Sequence, residues 1–292
     1  MRKILISAGM IAFIGAVVAG ATGAFFYDEE TSTGNTLAAG AIDLGIDNHS
    51  YYNNVENPGT TWRIDYDIDP VLGDNPNTPD VETDYVIEPG RLFFDFRDLK
   101  PGDSGEDTIS LHVKDNDSYL CANVTLTSDD DNGLTEPEGD DGDTTDGAGN
   151  GELADGINFY WWADDGDNVF EDGERLLPAG PLGNLSVGQT ATVALADSQN
   201  NIWGETGPLP GDSVRYVAKA WCFGNADMTP YPQDGLPGRP NNGPDSGRPM
   251  LCDGVSVNNV AQTDSLTATI SFRAEQSRHN EGFLCNRPNG TD

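Results

Sequence analysis

Basic residues are scarce in this sequence: 15 Lys and Arg stand against 49 Asp and Glu, which gives a formal net charge of −34. A surface of this sign repels nucleic acid and anionic lipid, so the composition argues against both as partners. It suits solubility at high ionic strength and the binding of cations instead.

The patterns that metal-dependent or nucleotide-dependent enzymes need are missing as well. The three His residues form no HExxH pair and have no zinc-like spacing to the four Cys, none of which lies in a CxxC. No GxGxxG or GxxxxGK follows any strand-like segment, so a glycine-rich phosphate-binding loop is absent. We therefore predict no catalytic residues and a protein that is not an enzyme.

Only one long apolar run occurs, from Ile4 to Ala19, and it is shorter than the roughly 20 residues that cross a bilayer comfortably. Arg2 and Lys3 precede it, and small residues follow it up to Ala24, as in a secretory signal peptide. We predict that residues 1–24 are this signal peptide and that the mature protein is secreted and leaves the membrane. An uncleaved N-terminal anchor is the alternative.

The four cysteines all lie in the part that would be exported: Cys121, Cys222, Cys252 and Cys285. An even number in an oxidising compartment favours two disulfides, for which three connectivities are possible. We favour Cys222–Cys252, which would close a Pro/Gly-rich loop, together with Cys121–Cys285, which would tie the last segment to the body.

Strand-like alternation is the dominant pattern after residue 24, and no useful helical period appears. Apolar and polar residues alternate, with Val, Ile, Thr and aromatic residues enriched, in TISLHV, GINFYWWA, TATVAL, SVRYVAKAWCF and SLTATISFRAE. Short strands separated by Gly, Pro, Asn and Asp indicate an all-β fold, a jelly-roll-like antiparallel sandwich. We predict a single domain over 25–292 with loop insertions at 48–88, 128–155 and 223–264. The second insertion has eleven acidic and no basic residues, and we expect a solvated loop there.

One acidic segment has the spacing of a calcium loop. In ADDGDNVFEDGE, residues 163–174, carboxylates fall at positions three, five, nine and twelve and a backbone carbonyl at seven, so the predicted ligands are Asp165, Asp167, Val169, Glu171 and Glu174. Ala163 leaves the first position without a ligand, for which Asp164 or a carboxylate from another loop would substitute. Asn168 takes the sixth position, where it tolerates a left-handed backbone. The alternative is an acidic turn without an ion.

A family resemblance lies in two stretches, ATGAFFYDEETSTGNTLAAGAIDLGI and DLKPGDSGEDTISLHVKDNDSYLCANVTL, which are similar to the TasA/camelysin family of secreted biofilm-matrix proteins. The first stretch is similar to that family's aromatic-rich start, Thr/Asn stretch and following strand. The second stretch is similar in its turn and the two strands after it. The resemblance covers the first fifty residues and about 94 to 127.

The resemblance implies a jelly-roll domain that is cut by a dedicated signal peptidase and assembles into extracellular matrix fibres. In such fibres the N-terminal segment of one subunit, here 25–47, inserts as a strand into the next, and Phe25 and Phe26 would anchor it. A strand folded back on its own domain is the alternative for this segment. Two other functions stay open: a camelysin-like secreted metallopeptidase and a monomeric surface-binding module with calcium-stiffened loops.

Overall fold

The computed structural model describes residues 27–31, 43–62, 91–114, 116–177, 180–204, 206–235 and 243–286. The predicted signal peptide, Phe25 and Phe26, and most of the first insertion lie outside the described residues. The strands are, in chain order, β1 (Tyr27–Thr31), β2 (Asp43–Tyr52), β3 (Val55–Glu56), β4 (Ser104–Lys114), β5 (Ser118–Asp131), β6 (Gly147–Ala148), β7 (Ile157–Asp164), β8 (Gly180–Pro181), β9 (Thr190–Ala196), β10 (Ser213–Phe223), β11 (Asn225–Asp227), β12 (Leu251–Asp253) and β13 (Ser265–Gln276). The helices are α1 (Glu136–Asp141) and α2 (Leu153–Gly156).

Eleven of these strands form two antiparallel sheets that face each other, and β11 and β12 pair separately. In the first sheet, β13 lies between β1 and β5, and the other edge of β5 pairs with β9 and then with β6. The second sheet has the order β3-β2-β4-β10-β7-β8. Each long strand-like segment of the sequence forms a strand, which confirms the all-β sandwich; the jelly-roll connectivity stays a prediction. The turn after β4 does not close a hairpin, because β4 and β5 belong to different sheets.

The core lies between the sheets and is built by alternate residues of the facing strands. Because successive side chains in a strand point to opposite faces, every second residue of β2, β4, β5 and β13 turns inward. These residues are almost completely buried and include Leu44, Ile46, Ile109, Leu111, Val113, Leu120, Ala122, Ile270 and Phe272.

One charged pair lies inside this sandwich. Lys219 on β10 stands opposite Asp107 on β4, and its Nζ is 2.7 Å from the Asp107 Oδ2, with both side chains fully buried. The Asn48 amide donates to the other Asp107 oxygen at 3.1 Å. Three aromatic rings surround the ammonium at 5–6 Å, those of Phe93, Phe94 and Phe159. The ion pair, the amide and the rings together replace the water that both charges lose on burial.

The face of the second sheet that turns away from the core is buried too. Ala218, Ala220 and Trp162 pack there against Met250 and Phe170. Met250 comes from the insertion 223–264 and Phe170 from the loop after β7. These two segments therefore form a third layer over the sheet.

Both predicted disulfides are present. Cys121 in β5 is bonded to Cys285, and Cys222 at the end of β10 is bonded to Cys252 in β12, with Cα–Cα distances of 5.6 and 5.5 Å. The first bond ties the segment after β13 to the core, and the second closes the 223–264 insertion, whose β11 and β12 form a two-stranded ribbon. Two disulfides indicate an oxidising environment.

The structure corrects the boundaries of two predicted insertions. Residues 48–52 belong to β2, so the first insertion begins after Tyr52. In the second insertion β5 continues to Asp131 and two short helices follow, so the prediction of a solvated loop holds only for its exposed part. Thr135 and Glu138 form a capping box at the start of α1. The order in this stretch could not be predicted from apolar alternation, because the stretch is stabilised by polar side chains that accept backbone hydrogen bonds.

Candidate metal centre

The acidic loop predicted to bind calcium begins at the last residue of β7 and returns to the same strand. The Ala163 N–H donates to the Arg175 carbonyl (3.1 Å), and the Leu177 N–H donates to the Trp161 carbonyl (2.8 Å). These bonds close residues 164–174 into a compact excursion at the end of the second sheet.

Three residues with a left-handed backbone conformation allow this loop to fold tightly around its own acidic side chains. Gly166, Asn168 and Gly173 have φ values of 114°, 65° and 101°. The Asp164 carboxylate accepts hydrogen bonds from the backbone N–H groups of Gly166 (3.0 Å) and Asn168 (3.2 Å). The left-handed conformation expected of Asn168 is confirmed, and it folds the loop tightly enough to bring distant carboxylates together.

The loop gathers its carboxylates into two overlapping groups. One oxygen from each of Asp164, Asp165 and Glu174 lies within 4.8 Å of the others, and the same holds for Asp165, Asp167 and Glu171. The four predicted carboxylates therefore lie together, with Asp165 common to both groups. Asp164 joins them, as one of the two substitutes expected for the missing first ligand.

Two positions of the calcium-loop alignment supply no side-chain oxygen. Ala163 lies in the core. Val169 is buried, and its N–H donates to the Asp167 Oδ1 at 2.8 Å. That the Val169 carbonyl is a ligand stays a prediction.

Three oxygens of this centre are buried and accept no hydrogen bond: Asp165 Oδ1, Asp167 Oδ2 and Glu171 Oε2. Asp167 and Glu171 are completely buried. A buried carboxylate oxygen without a donor costs free energy, unless a cation coordinates it. Hard cations such as Ca²⁺ take oxygen ligands of this kind.

Burial and mutual repulsion disfavour the charged forms of four carboxylates of the loop, those of Asp164, Asp165, Asp167 and Glu174. Burial, followed by the charges of Asp164, Asp165 and Asp167, raises the pKa of Glu174 to about 9. Burial likewise raises the pKa of Asp167 to about 7, and it raises the pKa values of Asp164 and Asp165. A bound divalent cation would favour the ionised forms and so oppose these shifts.

Arg248 from the third layer supplies positive charge to one side of the centre. Its guanidinium donates to Glu171 and to Asp234, the latter at 2.6 Å, and lies 3.9 Å from the Asp167 Oδ2. It also lies over the Tyr231 ring, 5.4 Å from the centroid. No sequence pattern indicates this residue; its only signal is its rarity, since few basic side chains occur in so acidic a chain.

The Cys222–Cys252 disulfide explains how Arg248 reaches the loop. It closes the insertion four residues after Arg248, and the Tyr231 N–H donates to the Phe170 carbonyl at 2.8 Å. The centre thus combines a local loop with a distant segment held in place covalently.

Comparison with known proteins identifies no relative for this chain: no protein-family model matches it, and neither does any curated protein. Within the described part of the chain, no helix has the length and apolar character to span a membrane. The site must therefore be interpreted from its own geometry.

Proposed function

We propose that this protein is a secreted structural subunit of an extracellular matrix fibre, and that copies are joined by exchange of β1. Strand β1 supports the proposal, because it is a five-residue strand at the edge of its sheet, where its pairing partner is β13. The two disulfides and the signal-like N-terminus support secretion, and the resemblance to the TasA/camelysin family supports the fibre.

The connection between β1 and β2 is long enough for exchange. Residues 32–42 separate the two strands, and eleven residues span at most about 35–40 Å when extended. The next strand, β2, lies in the opposite sheet and stays with its own subunit. The edge of β13 can accept the same five residues from its own chain or from a second copy, with the same backbone hydrogen bonds.

In this proposal Phe25 and Phe26 favour exchange by filling pockets on the neighbouring subunit that the same segment does not reach in the closed monomer. Each Phe side chain fully buried there contributes roughly 1.5–3 kcal/mol. Deletion of residues 25–30 from the mature protein should leave a folded monomer that forms no filaments in electron micrographs.

A mixed disulfide experiment tests exchange directly. Thr31 and Ser271 are opposite each other in the ladder, and all four native cysteines are already paired. We would mix protein carrying only Thr31→Cys with protein carrying only Ser271→Cys, oxidise, and separate the products on non-reducing gels. Opposite residues in an antiparallel pair lie about 4.5–5.5 Å apart at Cα, which suits a disulfide.

Exchange predicts a dimer that contains one copy of each variant. The double variant Thr31→Cys/Ser271→Cys is the control, since it should form an internal bond in any unexchanged monomer. The proposal is contradicted if the double variant forms its internal bond while the two single variants form no mixed dimer at concentrations where filaments form.

We infer further that the loop after β7 holds Ca²⁺ through Asp164, Asp165, Asp167, Glu171 and Glu174, with the Val169 carbonyl as the sixth ligand. The buried oxygens without donors carry this inference. The Trp162 indole N–H lies 3.3 Å from an Asp164 oxygen, so excitation of Trp162 should sensitise Tb³⁺ bound here.

The variant Asp167→Asn/Glu174→Gln should lose most of the Tb³⁺ emission, and Ca²⁺ should displace the ion from the wild type. Asp172→Asn is the matched control, because Asp172 is an exposed acid of the same loop. Undiminished emission from the double variant would remove the loop from consideration as a site.

The two alternative functions give different results in these experiments. Calcium binding without mixed dimers or filaments would favour a monomeric surface-binding module. Chelator-sensitive hydrolysis of casein would indicate a peptidase; the three ligand clusters found among the described residues contain carboxylates only, whereas zinc hydrolases use His ligands.

A further inference from the structure

A second group of carboxylates lies at the other acidic segment, where three parts of the chain meet. Asp131 ends β5, Glu138 belongs to α1, and Asp264 immediately precedes β13. One oxygen from each lies within 4.8 Å of the other two. Glu138 is completely buried and Asp131 is 3% exposed, which is unusual for acidic residues in a surface segment.

Backbone hydrogen bonds fix one oxygen of each carboxylate. The Asp131 Oδ1 accepts from the Gly133 N–H (2.7 Å), and the Glu138 Oε2 accepts from the Thr135 N–H (2.5 Å) within the capping box. The Asp264 Oδ2 accepts from the N–H groups of Glu152 (2.6 Å) and Leu153 (3.1 Å). The three side chains are therefore positioned before any ligand arrives.

The remaining oxygens point to a ligand. Asp131 Oδ2 and Asp264 Oδ1 are buried and accept no hydrogen bond, and the Glu138 Oε1 has only a long contact, 3.4 Å, from the Thr263 hydroxyl. Asp131 is more than nine-tenths buried, so its unpaired oxygen has no access to bulk water.

Among the described residues, no positive side chain is paired with these three carboxylates. The segment 128–155 contains no Lys or Arg, and no ion pair within the described residues involves Asp131, Glu138 or Asp264. Within the described part of the chain, no basic side chain takes the role that Arg248 has at the loop after β7, so a cation from solution would supply the missing positive charge.

We propose that Asp131, Glu138 and Asp264 form a second Ca²⁺ site that fastens the acidic segment to the ends of β5 and β13. An all-carboxylate set from three separate segments suits Ca²⁺, which accepts six to eight oxygen ligands in flexible geometry. Water completes the coordination. This site is separate from the loop after β7 and does not depend on whether β1 is exchanged.

The surrounding contacts make the site part of the fold rather than of a free loop. The Asn259 N–H and side-chain amide both donate to the Asp141 carboxylate, at 2.8 and 2.9 Å, and the Asn132 amide donates to the Thr263 carbonyl at 2.8 Å. These bonds place α1 against residues 258–264. Ca²⁺ at the proposed site would stabilise the same contact between α1 and residues 258–264. Removal of Ca²⁺ should therefore make both segments more mobile.

Calorimetric titration with Ca²⁺ tests the proposal, in a background where Asp167→Asn and Glu171→Gln remove the loop site. Glu138→Gln is the test variant, because Gln also serves in a capping box and so preserves α1. Glu136→Gln is the matched control, since Glu136 is an exposed acid of the same helix and its replacement removes the same charge. We expect one site in the background protein, at least tenfold weaker binding in the test variant and unchanged binding in the control.

Hydrogen exchange on the wild-type protein gives a readout that needs no substitution. Ca²⁺ should slow exchange in peptides covering 132–143 and 258–264. Equal titrations for Glu138→Gln and Glu136→Gln, no Ca²⁺ bound in the background protein, or no protection in these two peptides would each overturn the proposal.

Discussion

Replacing Lys219 by Met should destabilise the protein strongly, because it leaves the buried Asp107 carboxylate without its counter-charge. The two groups are 2.7 Å apart, with side chains 0% and 1% exposed, so no water can take the place of the ammonium. Breaking a buried pair by removing one partner typically costs about 3–5 kcal/mol. At about 2–4 °C per kcal/mol, the melting temperature should fall by roughly 6–20 °C.

Urea unfolding followed by Trp fluorescence measures this loss. The double variant Lys219→Met/Asp107→Leu should recover much of it, since replacing both partners by apolar groups removes the unpaired charge. The Asn48 amide, which loses Asp107 as an acceptor in that variant, also donates to the Thr60 carbonyl in the wild type, at 2.8 Å.

The exposed pair Lys100–Asp98 is a matched control, because its N–O distance is also 2.7 Å while its side chains are 65% and 88% exposed. Lys100→Met should leave the unfolding midpoint unchanged, as solvent screens the interaction. A cost below about 1 kcal/mol for Lys219→Met, or a double variant that is no more stable than the single one, would contradict this prediction.

Three further predictions concern the same scaffold. Burial raises the pKa of Glu106 to about 8, so the native state keeps a proton that the unfolded chain loses above pH 4.5; through this group the unfolding free energy should fall by about 3 kcal/mol from pH 5 to pH 8, and Glu106→Gln should reduce the total fall by that amount and leave the part that Asp167 and Glu174 contribute. Gly105→Ala should cost about 1–3 kcal/mol in urea unfolding, since a Cβ there would overlap the buried Trp221 indole; a neutral result would mean that the ring moves freely. Replacing both Cys121 and Cys285 by Ser should cost more than removing the other disulfide, roughly 5 against 4 kcal/mol in the loop-entropy estimate, because the bonds span 164 and 30 residues; the reverse order in calorimetry would contradict this.

The strands could be predicted because their alternating pattern is local in the sequence. The disulfides could be predicted because few pairings are possible. TISLHV forms the inner part of β4, with Ile109, Leu111 and Val113 buried as their alternation indicates. Four cysteines allow only three connectivities, and the composition of the enclosed segments favoured the correct one.

The charged groups could be predicted only in part, because their positions depend on contacts between distant segments. The loop 163–174 supplies its carboxylates at a regular spacing, and the sequence therefore indicated them. Arg248 meets that loop only after the insertion folds back, and Lys219 meets Asp107 only through the register of β10 and β4. The cluster of Asp131, Glu138 and Asp264 joins residues more than 120 positions apart, so no spacing rule could indicate it.

The ladders around β13 set the order in which the molecule would fail under tension. β13 is paired with β1 over five residues and with β5 over twelve, and β5 is bonded covalently to the segment that follows β13. A pulling force applied through the N-terminal strand therefore meets its weakest connection at the β1–β13 ladder. In the proposed fibre, a chain of such subunits would part at its joints while each sandwich stays folded, so the released subunits could rejoin.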